Sequence, residues 1–323
     1  MTILVTGAAG FIGSAVSTAL LARGQTVLGL DNLNDYYDPA LKQARLARLG
    51  THRGFSFRQA DVADRDTMLS FAEANPDVTH VLHFAAQAGV RRSLIDPYSY
   101  VTANVMGHLT VLEAARRLPN LQHLLYASSS SVYGSNSALP FREDERVDAP
   151  NSFYAVTKRS AELTSQSYAH LYGIPQTGLR FFTVYGPWGR PDMAYYSFAR
   201  AIASGTPLTL YSGRRLSRDF TYIDDVVDAV LGVMDAPIDR GQARLLNIGN
   251  DRPEPVSKLI QLLEQGLGRA AVVNQGARPD ADMEATWASL EAIGALTGWA
   301  PKTTLDDGVG AFLAWFRGFH PAG

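Results

Sequence analysis

Along the first half of the chain, short apolar runs take turns with longer stretches in which apolar residues recur every third or fourth position. The runs at 3–5, 26–30, 55–57, 78–84, 121–127 and 175–181 read as six strands. Helical spacing marks the segments from the turn after residue 5 to residue 23, from 96 to 117, and from 152 to 172. The last of these meets neither Gly nor Pro before Gly173 and Pro175 stop it. Strands alternating with helices predict an α/β protein with a doubly wound parallel sheet. After Thr183 the pattern loosens into a loop, a helix over 194–204 and a short strand near Leu208. A helix follows Asp225, a strand covers 245–248, and two or three helices complete the chain. Residues 1–181 therefore read as a cofactor-binding domain to which a segment near 217–250 returns. Residues 182–216 and 251–323 read as a smaller substrate lobe interleaved with it.

The first strand runs into Thr6-Gly-Ala-Ala-Gly-Phe-Ile-Gly13. Strand, glycine-rich turn and helix in that order turn a glycine pattern into a phosphate-binding expectation. Gly7 permits the tight turn, Gly10 lets backbone approach a pyrophosphate, and Gly13 lets the helix pack on its strand. The helix start at Phe11 and Ile12 offers unpaired N–H groups to an anion. Asp31 ends the second strand, eighteen residues past Gly13, where a ribose-binding acid is expected. With Asn32 beside it, this acid would repel a 2′-phosphate, so the cofactor expected is NAD rather than NADP. Asp61 and Val62, ending the third strand, are placed to reach the adenine. The small residues Ala85 and Ala86 after the fourth strand let the chain pass close to the cofactor.

Composition narrows the chemistry. A net charge of −2 gives no reason to expect nucleic acid or membrane partners, and the absence of cysteine excludes thiolate nucleophiles and Cys-ligated metals. Seven histidines without HxxxH or HxH spacing point away from a metal site. Thr2-Ile-Leu-Val-Thr6 carries no basic leader, and no apolar run reaches membrane-spanning length, so a soluble cytoplasmic protein is expected.

On the helix over 152–172, Tyr154 and Lys158 stand one turn apart on one face. A phenol keeps its proton to a pH of roughly 10, and a neighbouring ammonium favours the phenolate. The pair can therefore exchange a proton near neutrality. Tyr and Lys one turn apart also occur on many ordinary helix surfaces. Upstream lies Ser128-Ser-Ser-Ser131, which as a strand end could serve merely for capping.

Three of these stretches, the glycine turn, Tyr154-Ala-Val-Thr-Lys158 and Arg218-Asp-Phe-Thr-Tyr-Ile-Asp-Asp225, resemble extended short-chain dehydrogenases/reductases acting on nucleotide sugars. Two more narrow the likeness to the UDP-glucuronate 4-epimerases. They are Asp31-Asn-Leu-Asn-Asp-Tyr-Tyr-Asp38, continued by Leu41-Lys-Gln-Ala-Arg-Leu46, and Gly178-Leu-Arg-Phe-Phe-Thr-Val-Tyr-Gly-Pro-Trp-Gly-Arg-Pro-Asp-Met193. The resemblance implies oxidation at the sugar C4, rotation of the 4-keto sugar and reduction from the other face, with NAD regenerated in each turnover. It gives Tyr154 the proton transfer and has Lys158 lower the tyrosine pKa and hold the nicotinamide ribose. Ser129 would bond the C4 oxygen.

Related dehydratases carry an acidic pair matching Ser130 and Ser131, and related decarboxylases a glutamate matching Ser131; this chain has neither acid. Short hydroxyls at Ser130, Ser131 and Thr183 are the candidates to hold the sugar carboxylate. Arg218, Arg190 and Arg278 would meet the nucleotide, with Asp280 or Asp282 at its ribose. The helices over 96–117 and 152–172 resemble those that pair two subunits, so a homodimer is expected. Two other readings stand beside this one. A dehydratase, decarboxylase or simple oxidoreductase would need an acid in the serine run or net use of NAD. A non-catalytic NAD-binding regulator would be expected to have lost Tyr154 or Lys158.

Overall fold

The computed structural model describes residues 1–211, 216–277 and 283–320. In chain order its strands are β1 (Thr2–Thr6), β2 (Thr26–Asp31), β3 (Phe55–Gln59), β4 (Val78–His83), β5 (His123–Ser129), β6 (Gln176–Phe181), β7 (Thr183–Tyr185), β8 (Leu208–Tyr211), β9 (Ser217–Tyr222), β10 (Ala243–Ile248), β11 (Pro253–Pro255) and β12 (Val273–Gly276). Its helices are α1 (Phe11–Ala22), α2 (Pro39–Leu49), α3 (Arg65–Ala74), α4 (Arg92–Ile95), α5 (Pro97–Tyr100), α6 (Gly107–Ala115), α7 (Phe153–Tyr172), α8 (Ala194–Ser204), α9 (Ile223–Asp235), α10 (Val256–Leu267), α11 (Glu291–Thr297) and α12 (Leu305–Phe319). No helix among the described residues is long and apolar enough to cross a membrane.

Seven strands form one sheet in the order β10-β6-β5-β4-β1-β2-β3, and every pairing in it is parallel. Such a sheet is covered on both faces, which is why its central strands read as unbroken apolar runs. Ile3, Val5, Leu82, Leu125 and Leu179 enter one core with α1, α9 and the carboxyl-terminal helices. Leu4, Val81 and Leu124 enter another with α3 and α6. Strand order reverses between β1 and β4, so the crevice at their carboxyl ends is where this topology binds ligands.

Helix α7 forms much as its sequence suggests. Ser152 caps it by accepting from the Ala155 N–H at 3.2 Å, and Gly173 closes it in the left-handed conformation (φ +68°). The segment over 96–117 departs from the expectation of one long helix. It runs as α5, then a wide π turn over Val101–Met106, then α6. The π turn faces Asn104 inward, where it clasps the backbone of Gln87 at 2.7 and 2.9 Å and donates to Thr157 Oγ1 at 3.0 Å. One extra residue per turn is invisible to a count of helical periods, so the sequence read it as continuous.

Beyond β6 the chain builds two small sheets, β11-β9-β7 and β12-β8. Of the returning segment, β10 joins the main sheet while β9 pairs with β7 and β11. Buried Asp219 ties these parts together, accepting from the Asn250 N–H at 2.5 Å and the Ala288 N–H at 3.0 Å. Burial raises its carboxyl pKa to about 6 against those bonds.

Candidate active site

The turn after β1 lies against the chain leaving β4. A Cβ on Gly7, whose φ is +73°, would stand 2.7 Å from the Ala85 nitrogen, so no larger residue fits there. A Cβ on Gly13 would meet the Gly7 carbonyl oxygen at 2.1 Å, which fixes how closely α1 packs. No side chain caps α1 at Gly10, leaving its first N–H groups for an anion. Asp31 is buried and accepts from the Ala9 N–H at 3.2 Å and the Leu33 N–H at 2.9 Å. Asn32 Nδ2 donates to Asp61 Oδ2 at 3.0 Å, holding the ends of β2 and β3 together.

One cleft gathers these groups: Gly7, Gly10, Phe11, Ile12, Gly13, Asp31, Asn32, Asp61, Val62, Ala85 and Ala86 all line it, and so do Ser129, Ser130, Ser131, Tyr154, Lys158 and Arg190. The placement of glycines, a helix amino terminus and a carboxylate along one wall fits a dinucleotide, with Asp31 at its ribose.

Across from that wall, α7 presents the Tyr154 phenol. Its backbone N–H donates to Ser93 Oγ at 3.1 Å, and its ring meets Tyr100 edge-on at 6.1 Å. Burial raises the phenol pKa, while the Ser129 hydroxyl and the Arg190 guanidinium act to lower it. Lys158 is buried, with its ammonium donating to the Ala127 carbonyl at 2.9 Å and lying 5.8 Å from the Tyr154 ring centroid. Burial, then Arg190, lowers its pKa to about 8. Arg190, from the loop between β7 and α8, lines the same cleft, and its positive charge favours the phenolate and the neutral amine.

The four serines divide their work. Ser128, at the cleft lining, donates to buried Glu162 Oε1 at 2.6 Å. Ser129 caps a short 3-10 turn over Ser130–Tyr133, accepting from the Ser131 N–H at 3.1 Å and donating to Ser131 Oγ at 3.1 Å. Ser129 also lines the cleft with Tyr154, so capping and a place in the site coincide in one residue. Glu162, one turn beyond Lys158, receives both Nε and Nη2 of Arg180 at 2.8 and 3.0 Å, with both side chains buried. That pair fastens α7 to β6 and so sets where Tyr154 and Lys158 stand.

Two expected site residues lie elsewhere. Thr183 opens β7 between Phe182 and Val184, and those two neighbours, rather than Thr183, line the cleft. Arg218, on β9, donates to the backbone carbonyls of Ser217, Glu284 and Met283, outside the cleft lining. Arg278, Asp280 and Asp282 lie outside the described residues. Sequence reasoning passed over Tyr36, Lys42, Gln87 and Met193, which also line the cleft. It also passed over Arg45, fully buried, which donates to the carbonyls of Ala9, Trp188 and Gly189 and to the Tyr37 hydroxyl. Arg45 thereby joins the glycine turn to the loop that carries Arg190. The signal was present in the run from Asp31 to Leu46, but only the folded chain shows which carbonyls the arginine meets.

A family model described as the NAD dependent epimerase/dehydratase family matches residues 3–249. UDP-glucuronate 4-epimerase 3 of Arabidopsis thaliana is 44% identical over 336 residues, covering 100% of this chain and 78% of that protein. A probable UDP-glucuronate 4-epimerase of Rhizobium meliloti is 41% identical, covering 98% of this chain and 97% of its own. The crystal structure of UDP-glucuronic acid 4-epimerase from Bacillus cereus, in complex with UDP-glucuronic acid and NAD, matches with a TM-score of 0.92 at 33% identity, over 99% of this chain and 100% of that one.

Proposed function

The chain belongs to the NAD dependent epimerase/dehydratase family, and from that premise we propose that it interconverts UDP-glucuronate and UDP-galacturonate. The observation that carries the reading is one cleft with a dinucleotide-fitting wall on one side, Tyr154 and Lys158 on the other, and serines where an acid would direct elimination or decarboxylation. NAD, when bound, supplies the acceptor and donor of hydride at the sugar C4. The glycine turn and the amino terminus of α1 hold its pyrophosphate, Asp31 its adenosine ribose, and Asp61 with Val62 the adenine. Ala85 and Ala86 leave room for its passage. Tyr154 takes the proton of the 4-hydroxyl as the ketone forms and returns it as the ketone is reduced. Ser129 donates to the C4 oxygen and orients the phenol. Lys158, held by the Ala127 carbonyl, faces the nicotinamide ribose.

The 4-keto intermediate is a β-keto acid and loses carbon dioxide readily when its C5–C6 bond lies perpendicular to the carbonyl plane. Hydroxyls that keep the carboxylate near that plane oppose the loss, and Ser130 and Ser131 line the cleft for this, with Thr183, between the lining residues Phe182 and Val184, as the third candidate. Arg190 serves the sugar end, and Arg218 and Arg278 the nucleotide in the smaller lobe, residues 182–216 and 251–323. Two copies pair through α4 to α7, where Leu94, Ile95, Tyr98 and Leu163 are exposed apolar side chains. The setting we assign is the cytoplasm. The test is incubation with UDP-glucuronate and substoichiometric NAD, with product identified by NMR. UDP-galacturonate without net reduction of NAD supports the reading; UDP-pentose with carbon dioxide, or stoichiometric NADH, rejects it.

A further inference from the structure

Arg190 stands in the cleft wall, and its partner comes from its own loop. Asp192 accepts from Arg190 Nε at 3.0 Å and from Nη2 at 2.5 Å, which fixes the plane of the guanidinium. Among the described residues no acceptor meets Nη1, the remaining arm. Asp192 Oδ2 also accepts from the Tyr36 hydroxyl at 3.1 Å, and Tyr36 belongs to the loop leaving β2 on the cofactor side. Tyr36 is itself seated: a Cβ on Gly89 would come within 2.5 Å of its hydroxyl oxygen, so the loop after β4 packs on it as well. Arg45 pins the backbone of the Arg190 loop from the same side, at Trp188 and Gly189. Two loops thus meet on one carboxylate, and a third packs against the tyrosine that reaches it.

We propose that Asp192 is a positioning residue for the reaction, aiming Arg190 at the Tyr154–Lys158 pair, and that Tyr36 fixes this aim from the cofactor-side loop. The proposal deepens the epimerase reading, since it concerns the proton acceptor on which that reading rests. A cation near a phenol favours the phenolate, so the aim decides how readily Tyr154 gives up its proton. The other groups around Tyr154 are Lys158 on its own helix, Ser129 at the end of β5, and Tyr100 on α5. Beyond Lys158 lie His83 and His108, both buried, both held well below the usual histidine range by burial and so neutral near pH 7. Tyr36 is pushed up to about 12, by burial first and then by Asp192, so it serves as a donor throughout the working range. Arg92 is the remaining charge facing Tyr36.

Removing Asp192 has two opposite possible effects on Tyr154. If Asp192 only balances charge, its loss leaves Arg190 in place with more net positive charge, and the phenol ionises at lower pH. If it aims Arg190, its loss lets the cation swing away, and the phenol ionises at higher pH. The experiment is an ultraviolet tyrosinate titration of the NAD-loaded protein, with the signal of Tyr154 isolated by subtracting Tyr154→Phe. Arg190→Gln, Asp192→Asn, Tyr36→Phe and the Arg190→Gln/Asp192→Asn double variant are compared with the parent. The expected result is an upward shift of about one unit for Arg190→Gln, the same direction for Asp192→Asn, a smaller shift for Tyr36→Phe, and no addition in the double variant. A downward or absent shift in Asp192→Asn, or additive shifts in the double variant, overturns it. The titration needs no substrate, so a failure of the epimerase reading leaves this result standing on its own.

Discussion

Two arginine–carboxylate pairs, one anchoring α7 and one in the loop between β7 and α8, differ in what surrounds them. Glu162 and Arg180 are joined by two parallel bonds behind the catalytic helix, each side chain 1% exposed. Arg190 and Asp192 are joined with the same fork geometry on the cleft side, at 22% and 29% exposure. The first pair is a fastener: it connects α7 to β6, takes the Ser128 hydroxyl as well, and has no access to a ligand. The second shares its carboxylate with a loop tyrosine, and its arginine lines the cleft. Similar chemistry thus serves stability in one place and reactivity in the other, and the surroundings decide which.

The yardstick for the reactive side is loss of the proton acceptor itself. Tyr154→Phe should cost on the order of 10²–10⁴ in turnover while folding and NAD binding persist, measured as kcat beside cofactor retention on gel filtration. Near-parental turnover would remove Tyr154 from the chemistry. On the stability side, Glu162→Ala leaves Arg180 buried without its partner and should destabilise the fold by about 3–5 kcal/mol in urea unfolding. Replacing both at once, Glu162→Leu with Arg180→Met, should recover much of that loss. If the single and double variants unfold alike, the pair is not the fastener described here. Asp192→Asn should cost no more than about 1 kcal/mol in the same unfolding experiment, because that pair is partly open to water. A loss as large as that of Glu162→Ala would place both pairs in one class. The smallest effect expected concerns cofactor choice. Asp31→Ala should narrow the preference for NAD over NADP, and equal use of both by the unaltered protein would show that Asp31 does not meet the ribose.

The side of the molecule that fits the cofactor was legible because its signals are local. A glycine in a fixed register after a strand implies a tight turn, and Gly7 has a φ of +73° with no room for a Cβ, which would stand 2.7 Å from the Ala85 nitrogen. Strand ends, the cap at Ser152 and the stop at Gly173 are likewise encoded within a few residues. The Tyr154–Lys158 spacing was equally local, so both residues were found in the cleft. Interactions across long stretches of chain left no such trace. Arg45 meets carbonyls more than a hundred residues away, and Glu162 meets an arginine on the next strand. The π turn at Asn104 exists to reach Gln87 and Thr157, partners that no periodicity names. Thr183 and Arg218 were chosen by position within a motif; the structure puts the first beside the cleft lining and the second on backbone carbonyls of another segment.

The central claim is that hydrogen leaves C4 and returns to the same carbon within one binding event. UDP-glucuronate carrying deuterium at C4, converted with unlabelled NAD in ordinary water, tests it directly by NMR of the product. The account predicts UDP-galacturonate with the C4 deuterium retained, and no solvent hydrogen at C4 or C5. Loss of the label from C4, or exchange at C5 with solvent, would contradict it and indicate chemistry at a different carbon.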